Sequence, residues 1–457
     1  MNDWKPELPQ GGKPHYLHIA DALEADIQTG RLKTGDRLPP QRRLAKLLSI
    51  DFTTVSRAYA EAASRSLLDS HVGRGTFVAA QPASRSGADP VRAGAQDLSM
   101  NMPPEPTDPA LLAKMREGLD VVSANLIPLL RYQQSAGSEK DKIAASSWLS
   151  MRGMVPNLER IAVTPGAHAT MAAILSIITE PGDTVLCEAI TYSGFRGIAR
   201  MLRVNLVGIE MDAGGILPDA LQSAIEQHSP KALYLNPTIQ NPTTITMSTG
   251  RRLAIAEIIN EYRLSTIEDD AYGFIPPKAP APLAVSAPAH IWHIGGLAKC
   301  IGAGLRLAYT VAPSGREAIA LTQALKTLSG MASPISVALA TQWIEDGTAD
   351  TIRRFIRAES AARQEIAAQT LDGVDFASDP HAFNIWLRLP EEAGGRANLM
   401  GRMAGHPIGV MPSDVFTVSG TPGDFVRICL GGRISRETLR SELTRVAEAL
   451  HAPGWAG

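Results

Sequence analysis

The hydrophobic residues of this 457-residue chain follow two different rhythms. In the first eighty residues they recur at helical intervals, which predicts short amphipathic helices at residues 16–29, 41–48 and 52–66. Residues 71–78 then predict a β-hairpin with glycines at its turn. This first region is therefore predicted to be a small helical domain that ends in a hairpin.

From residue 97 onward, short apolar runs alternate with helical stretches such as residues 167–179 and 251–262. This rhythm is typical of buried parallel strands joined by helices. It predicts an α/β domain whose sheet is mostly parallel and covered on both faces. The predicted strands are residues 161–163, 184–187, 205–209, 232–235, 264–267, 291–294 and 307–311.

Residues 79–96 separate the two patterns. They are rich in Ala, Gly, Ser and Pro and contain one bulky apolar residue, so they cannot bury a core. The sequence therefore predicts three parts: a small domain at residues 1–78, a flexible linker at residues 79–96 and a large domain at residues 97–457.

The composition excludes several classes of protein. The formal net charge of −2 gives no sign of a nucleic-acid partner, although residues 42–74 carry six Lys and Arg against three Asp and Glu. Three cysteines lie far apart, so we expect a reducing compartment and no metal site. No signal segment is evident, and the longest apolar stretch, residues 171–178, is too short for a membrane span. We therefore expect a cytoplasmic protein that has no membrane partner.

The second and third predicted helices are joined by a turn of three residues. Asp51 can cap the third helix by accepting backbone hydrogen bonds at Thr53 or Thr54. Thr53, Thr54 and Arg57 then lie on the outer face near the start of this helix. This arrangement is typical of a helix-turn-helix that enters the major groove, and Arg74 at the hairpin tip suits the minor groove or nearby phosphates. The alternative from spacing alone is a small helical domain with solvated polar residues.

Three segments carry a family resemblance. They are Leu-Pro-Pro-Gln-Arg-Arg-Leu-Ala at residues 38–45, Thr-Thr-Val-Ser-Arg-Ala-Tyr at residues 53–59 and Gly-Arg-Gly-Thr-Phe-Val at residues 73–78. In this order they resemble the winged helix-turn-helix of GntR-type bacterial transcription regulators. The resemblance implies a double-stranded DNA operator as a partner. It places these residues at or near the DNA: Arg42, Thr54, Arg57 and Gly75.

Two positions depart from the GntR pattern. Phe52 stands where the family often has arginine or lysine, and Arg65-Ser66 stands where it usually has Glu-Gly. The first departure removes a DNA contact that relatives can make, so we expect a different operator sequence. Neither departure is expected to change the fold.

In the large domain, polar residues follow directly after the predicted strands, where ligands bind in parallel sheets. The turn at residues 164–170 opens a helix and can bind a phosphate through its backbone N–H groups. Tyr192 could stack on an aromatic ring, and Asn241 could donate to a ligand oxygen. The carboxylate of Asp269 could keep a pyridine nitrogen protonated. Each feature alone is more often an ordinary turn or packing residue.

A lysine and an arginine follow the predicted strand at residues 291–294. In a tight loop between two apolar strands, Lys299 would be partly desolvated, which frees its amine to attack a carbonyl. Arg306 follows seven residues later, behind two glycines, and could hold a phosphate. A Schiff-base amine close to a phosphate-binding arginine is what pyridoxal 5'-phosphate (PLP) requires of a protein. A surface lysine is the simpler alternative for Lys299 taken alone.

These features, in this order, resemble fold-type I PLP-dependent aminotransferases over about 350 residues. By that resemblance Lys299 is the Schiff-base lysine and Asp269 is the partner of the pyridine nitrogen. Tyr272 and Asn241 are the pair that hydrogen-bonds the phenolic oxygen of the cofactor. Tyr192 is the aromatic residue that stacks on the ring.

The same resemblance assigns the remaining site residues. Ala167, His168 and Arg306 form the cradle for the cofactor phosphate. Arg427, in the run Phe-Val-Arg-Ile-Cys-Leu at residues 425–430, clamps a substrate carboxylate as a bidentate fork. Tyr132 stands where some family members reach across a dimer to the phosphate of the partner.

Three positions depart from the aminotransferase pattern. Gly296 replaces a serine or threonine that often hydrogen-bonds the phosphate, so we expect a looser phosphate site. Thr244 replaces the glycine of the usual Asn-Pro-Thr-Gly, and residues 142–144 lack a usual Leu-Arg. The last two concern the scaffold. Because the lysine and the pyridine partner are present, PLP binding is still expected.

A GntR-type winged helix joined to an aminotransferase-like domain resembles the MocR subgroup of transcription regulators. The resemblance implies a PLP-dependent, DNA-binding homodimer whose large domain senses an amine or amino-acid effector. One alternative is a working PLP-dependent aminotransferase with a DNA-binding appendage, and weak transamination is compatible with either. A third interpretation is a sensor of the PLP level that has no separate effector.

Overall fold

The computed structural model describes residues 4–6, 14–29, 31–33, 35–65, 67–71, 75–79 and 100–451. The chain divides into two units, Met1–Ala95 and Gln96–Gly457. The predicted linker, apart from residue 79, lies outside the described residues, and so does Arg74. No helix in the described ranges is both long and apolar enough to cross a membrane.

The first unit contains the three predicted helices and a hairpin whose first strand begins three residues before the predicted start at residue 71. The helices are α1 (His15–Gln28), α2 (Gln41–Leu48) and α3 (Phe52–Ser64), and the strands are β1 (Leu68–His71) and β2 (Gly75–Val78). Helix α3 is two residues shorter than predicted because Arg65 ends it as a C-cap with backbone bonds to residues 61 and 63. The Asp51 carboxylate accepts a hydrogen bond from the Thr53 amide at 2.7 Å, which confirms the predicted N-cap.

A single apolar cluster holds this unit together. Ile19 and Leu23 from α1 are buried against Leu44 from α2 and Val55 from α3. The Tyr59 hydroxyl is also buried, and it donates to the Pro39 carbonyl at 2.8 Å. The two strands of the hairpin are antiparallel, with Leu68 opposite Val78. The helix-turn-helix geometry therefore rests on a core of aliphatic side chains.

Thirteen helices of the second unit fall in the described residues. They are α4 (Pro109–Ser123), α5 (Leu126–Leu129), α6 (Glu139–Ser150), α7 (Ala167–Ile178), α8 (Ser193–Leu202), α9 (Pro218–His228), α10 (Thr249–Tyr262), α11 (Leu283–Ser286), α12 (Gly315–Ser329), α13 (Pro334–Glu345), α14 (Thr348–Thr370), α15 (Gly395–Arg402) and α16 (Arg436–His451).

The strands of this unit form one large sheet, one small sheet and a short hairpin. They are β3 (Ile161–Thr164), β4 (Thr184–Glu188), β5 (Asn205–Ile209), β6 (Met211–Asp212), β7 (Gly215–Ile216), β8 (Ala232–Leu235), β9 (Ser265–Asp269), β10 (Ile291–Gly296), β11 (Ala308–Val311), β12 (Phe376–Ala377), β13 (Asn384–Arg388), β14 (Val410–Pro412) and β15 (Phe425–Cys429).

The large sheet has the order β3-β11-β10-β9-β8-β4-β5. Strand β11 is antiparallel to both of its neighbours, and the other pairings are parallel. Two buried apolar clusters contain residues of these strands and of the surrounding helices. The predicted α/β fold with a mostly parallel sheet is confirmed. Six strands run in one direction, so the turns after β3, β4, β8, β9 and β10 meet at one edge.

Apart from shifts of one or two residues at other element ends, two features of this unit differ from the prediction. Strand β9 extends to Asp269 and β10 extends to Gly296, because both strands continue to pair past their last large apolar residues. Asp269 is therefore the last residue of its strand rather than part of the following loop. The second difference is a four-stranded antiparallel sheet, β12-β13-β15-β14, which is packed on α14 and α16 and was not predicted.

Candidate functional site

A cavity of about 340 Å³ lies at the edge where the parallel strands end. Its walls come from the turns after β3, β4, β8 and β10, from the end of β9, and from β14 and β15 of the small sheet. All nine residues that the sequence places at the cofactor and the carboxylate line it: Ala167, His168, Tyr192, Asn241, Asp269, Tyr272, Lys299, Arg306 and Arg427.

Lys299 lies in the turn that follows β10. Its Nζ donates to the Asn101 carbonyl and lies 6.0 Å from the centroid of the Tyr272 ring. Burial, reinforced by the positive charge of Arg427, lowers the pKa of the Lys299 amine to about 8. A sizeable fraction of this amine is therefore uncharged and nucleophilic near neutral pH.

Asp269 ends β9 with its carboxylate at the cavity. Oδ2 accepts a hydrogen bond from the Tyr234 hydroxyl at 3.0 Å, and the backbone carbonyl accepts one from Asn236 Nδ2 at 2.6 Å. Oδ1 is buried and has no hydrogen-bond partner among the described residues. Burial raises the pKa of Asp269 to about 6, although the Tyr234 bond acts in the opposite direction. A buried acceptor of this kind favours a cationic donor next to it.

Arg427 is buried on β15, with 3% of its surface exposed. Its Nη1 donates to Asn241 Oδ1 at 2.9 Å, and its guanidinium carbon lies 5.1 Å from the centroid of the Phe416 ring. The hydrogen bond and the aromatic ring fix the orientation of the guanidinium. A charged guanidinium held in a cavity is suited to bind a carboxylate.

The turn between β3 and α7 forms another wall. Gly166 has φ +90°, a backbone conformation that favours glycine, whereas a Cβ there would meet the Arg306 backbone carbon at an ordinary contact distance of 3.4 Å. Helix α7 begins at Ala167, which leaves backbone N–H groups available at the cavity. Burial and the nearby Arg306 charge both lower the pKa of His168. The backbone N–H groups and the Arg306 guanidinium are suited to bind an anion.

The departure at Gly296 leaves room in this wall. A Cβ at Gly296 would have no neighbour closer than Ala167 Cβ, at 3.8 Å. Neither steric crowding nor a positive φ therefore requires glycine there. By contrast, the departure at Thr244 has a structural consequence, because this residue has φ +63°, a region that favours glycine.

Tyr192 is the N-cap residue of α8, and its ring lies against the backbone of Gly194. A Cβ on Gly194 would lie 2.3 Å from Tyr192 Cζ, so only glycine lets the ring occupy this place. Burial raises the pKa of the Tyr192 hydroxyl, which stays protonated at neutral pH.

Four further residues of the cavity region were not predicted. Asn101 donates from Nδ2 to the Tyr272 hydroxyl at 3.0 Å and to Asn384 Oδ1 at 2.9 Å, and Met411 lies opposite Arg427 in the small sheet. Tyr234 and Asn236 hold Asp269, as described above. Asn236 was detectable, since it follows a strand as Asn241 does. Asn101 carries no local signal, because its partners lie 171 and 283 residues away.

A buried ionic network lies next to the cavity. Asp270 Oδ2 accepts from Arg152 Nε at 2.7 Å and lies 3.2 Å from His293 Nε2. Thr238 donates to Oδ1 of the same carboxylate, and it accepts a bond from Arg252 at 2.8 Å. Burial alone would raise the pKa of Asp270, but Arg152 and His293 hold it well below its usual value. The network fixes the backbone that presents Asp269.

The first unit carries the predicted DNA-contacting residues. Arg42 and Arg57 are exposed on α2 and α3, and the guanidinium carbon of Arg57 lies 4.7 Å from the centroid of the Tyr16 ring. The Thr53 hydroxyl donates to the Asp51 carboxylate, whereas Thr54 is half-buried. Of the predicted DNA contacts, Arg74 alone cannot be located, because it lies outside the described residues.

Two further residues shape the surface of this unit. Gly75 has φ +110°, and a Cβ there would lie 2.8 Å from Arg37 Nε. Arg65, the second departure from the GntR pattern, pairs with Asp21 at 2.8 Å, Glu24 at 3.1 Å and Glu61 at 2.9 Å. The pairs with Asp21 and Glu24 tie α1 to the end of α3, so the departure has a structural role.

Sequence comparison matches both units to known families. Residues 96–446 match the family Aminotransferase class I and II, and residues 15–78 match the gntR family of bacterial regulatory proteins.

Among similar proteins, the HTH-type transcriptional regulator YdeF of Bacillus subtilis is 30% identical over 86% of this chain and 85% of its own length. The Vitamin B6 salvage pathway transcriptional repressor PtsJ of Salmonella typhimurium is 26% identical over 95% of this chain and 97% of its own length.

Solved structures of aminotransferases share the fold. LysN, an alpha-aminoadipate aminotransferase from Thermus thermophilus complexed with N-(5'-phosphopyridoxyl)-L-leucine, has a TM-score of 0.68 at 21% identity, covering 77% of this chain and 91% of its own. The multiple substrate aminotransferase of Thermococcus profundus has a TM-score of 0.69 at 21% identity, covering 80% and 95%. The chain therefore belongs to the aminotransferase class I and II family and, because a GntR-type module precedes that domain, to the MocR subgroup of bacterial transcription regulators.

Proposed function

We propose that this protein is a PLP-dependent, DNA-binding transcription regulator that senses an amine or amino acid. The observation that carries the proposal is the convergence of nine residues on one cavity in a chain with a GntR-type module. These residues come from segments as far apart as Ala167 and Arg427. The first unit binds double-stranded operator DNA, and the second unit binds the cofactor and the effector.

The residues of the cavity fit PLP. Lys299 offers an amine with a lowered pKa to the aldehyde of the cofactor. Asp269 offers Oδ1, a buried acceptor with no partner among the described residues, to a protonated pyridine nitrogen. Tyr272, whose ring centroid is 6.0 Å from Lys299 Nζ, and Asn241, which lines the same cavity, would hold the phenolic oxygen. Tyr192 would stack on the ring.

The anion site would hold the cofactor phosphate. The backbone N–H groups at the start of α7, together with Ala167, His168 and Arg306, supply the donors and the positive charge. When it is bound, PLP supplies a carbonyl that captures primary amines and a ring that accepts electrons.

Arg427 would hold the carboxylate of an amino-acid effector. It lies on the small sheet, whereas Lys299 follows a strand of the large sheet. An effector whose amine engages the Lys299 side and whose carboxylate engages Arg427 would draw the two sheets together. We propose that this closure changes DNA affinity, because the effector binds one arrangement of the unit better than the other.

A homodimer would bring two winged helices to two operator half-sites. Residues near α5 support this assembly, because several large side chains are exposed there. The exposed fractions are 65% for Ile127, 66% for Leu130 and 95% for Tyr132. Such a group of apolar and aromatic surface residues is typical of a protein interface.

The replacement of Lys299 by alanine tests the cofactor assignment. The wild-type chain mixed with PLP should acquire an absorbance band near the edge of the visible range, which persists after gel filtration. Lys299→Ala should lose this band completely, because no amine remains to bind the cofactor covalently. Lys326→Ala, which removes an exposed lysine of α12, is the control and should keep it. A retained band in Lys299→Ala would contradict the assignment.

A working aminotransferase is the second candidate, and the lowered pKa of Lys299 favours it, because an uncharged amine can also move protons. Keto-acid formation should be measured across the amino acids at physiological concentration. Rapid multiple turnover would favour the enzyme. Slow or single turnover, with an effector-dependent change in operator binding, would favour the regulator.

A sensor of the PLP level is the third candidate. The name of the Salmonella relative, a repressor of vitamin B6 salvage, makes this interpretation concrete. Operator binding should be measured without PLP, with PLP, and with PLP plus a panel of amines. If PLP alone produces the whole change and no amine adds to it, the proposal of amine sensing is wrong.

A further inference from the structure

Phe52 is an exposed aromatic residue at the first position of the helix that is proposed to enter the major groove. The exposed fraction of Phe52 is 43%, and the residue begins α3, directly after the Asp51 cap. Among the described residues, the side chains that form or border the core of the unit do not include Phe52. Its side chain is therefore available to a ligand rather than required for folding.

The surroundings of Phe52 indicate what kind of ligand this is. The guanidinium carbon of Arg42 lies 5.9 Å from the centroid of the Phe52 ring. Arg43, Lys46 and Arg57 are also exposed on α2 and α3. These exposed cations would add little to the binding of an apolar protein surface, whereas they would attract the phosphates on both sides of a major groove.

Within the major groove, an aromatic side chain has one apolar target on the base edges. That target is the C5-methyl group of thymine, because the other groups presented there are hydrogen-bond donors and acceptors. The start of the second helix in a helix-turn-helix is the part that reaches the base edges. The cation–π contact with Arg42 restricts the orientation of the Phe52 ring and joins a phosphate-binding group to an apolar one.

We propose that Phe52 reads a thymine methyl group in each operator half-site. This inference rests on the proposed DNA-binding function and assigns the sequence preference of one residue within it. The departure from the family pattern at this position thus exchanges a polar contact for an apolar contact with a specific base.

The test first obtains an operator from a randomised duplex library, by repeated selection with the full-length protein. The dissociation constant is then measured by fluorescence anisotropy at one fixed salt concentration. Each thymine of the selected sequence is replaced in turn by deoxyuridine, which lacks only the methyl group. Wild-type protein should lose about fourfold in affinity at one thymine per half-site, the effect expected for one buried methyl group.

Phe52→Ala provides the second arm of the test. This variant should bind the thymine and uracil duplexes equally, with the affinity that wild-type protein has for the uracil duplex. Phe52→Leu should retain part of the difference, because leucine is also apolar. Leu47→Ala is the matched control, since Leu47 is an exposed apolar residue of α2 with 39% exposure, and it should leave the thymine preference unchanged.

The outcomes separate this inference from the function on which it depends. If no sequence is enriched by the full-length protein, DNA binding itself fails. If an operator is enriched but no thymine position is sensitive to uracil, the function stands and the assignment of Phe52 is wrong. The assignment also fails if Phe52→Ala retains the wild-type preference for thymine.

Discussion

The two units of this protein differ in where their charged side chains lie. The winged-helix unit keeps its described charges at or near the surface, as in the group formed by Arg65, Asp21 and Glu61. The large unit buries charges next to its cavity, where Arg152 and Asp270 have side-chain exposures of 3% and 0%. A surface that binds a polyanion needs hydrated, adaptable cations. A cofactor site needs groups whose orientation and protonation are fixed in advance.

The difference has an energetic consequence. Exposed ion pairs are screened by water and salt, so each contributes little to the free energy of unfolding. A buried charge that loses its partner retains its full desolvation cost. The same kind of substitution should therefore have very different effects in the two settings, and three substitutions test this in order of decreasing effect.

Asp270→Asn should have the largest effect. It leaves Arg152 without a buried counter-charge, and it weakens the contact with His293. We expect the free energy of unfolding of the large unit to fall by about 3–5 kcal/mol. Urea unfolding monitored by tryptophan fluorescence measures this loss. Hydrogen exchange of helices α1 to α3 should be unchanged, because they belong to the other unit.

An exposed arginine–aspartate pair in the same unit is the control. Arg251 and Asp212 are 2.8 Å apart, with 21% and 43% of their side chains exposed. Asp212→Asn should reduce the free energy of unfolding far less than Asp270→Asn does, because water and salt screen this pair. If the two substitutions were equally destabilising, burial would not be the feature that distinguishes the two settings.

The buried network also shows what the sequence pattern could predict. Lys299 and Asp269 were proposed as site residues because each follows a predicted apolar strand, whereas Arg427 was proposed only from the resemblance of residues 425–430 to aminotransferases. Asn101 and Arg152 were not predicted, because their partners are more than a hundred residues away and no local periodicity marks them. The role of Tyr234 was not predicted for another reason. It lies inside a fully buried apolar strand, so its hydroxyl bond to Asp269 could not be inferred from its neighbours.

The fold was likewise predictable only where the local sequence marks the ends of an element. Helix α2 and strand β5 have the predicted bounds because caps and apolar runs mark their ends. The ends of β9 and β10 were predicted two residues too early, since pairing between strands continues through Asp269 and Gly296. The small antiparallel sheet was not predicted as a sheet. Two of its strands, β12 and β14, have only two and three residues, too few to show alternation.

Asp269→Asn should change the free energy of unfolding by the second-largest amount, and this change should depend on pH. Burial raises the pKa of Asp269 in the folded protein to about 6 from a usual value of 3.8. The folded state therefore binds a proton more tightly than the unfolded state. The resulting stability is fully present below pH 3.8 and is lost as the pH rises to about 6.

Urea unfolding of the PLP-free protein at several pH values measures this dependence. Relative to Asp269→Asn, the wild-type protein should lose about 2 kcal/mol between these two pH values and about 3 kcal/mol over the whole transition, from well below the lower value to well above the higher one. Asp212→Asn serves as the control, because hydrogen bonds from Arg251 and Gly214 lower the pKa of Asp212, and its contribution is lost in the opposite direction, as the pH falls. Parallel curves for wild-type protein and Asp269→Asn would contradict the assigned pKa.

Arg65→Ala should have the smallest effect, and it should be confined to the winged-helix unit. The substitution removes two ion pairs between α1 and the end of α3 and one pair within α3, but Arg65 is 28% exposed, and water and salt screen these pairs. We expect a loss of about 1 kcal/mol at low salt, most of which disappears at high salt. Hydrogen exchange of α1 and α3 at two salt concentrations measures this loss of stability.

Arg31→Ala is the control. It removes a single ion pair at 3.5 Å from a side chain that is 68% exposed, and should not measurably change the stability of the unit. If the loss of stability in Arg65→Ala were independent of salt, this surface group would behave like the buried network. The expected difference between the ion pairs of the two units would then be wrong.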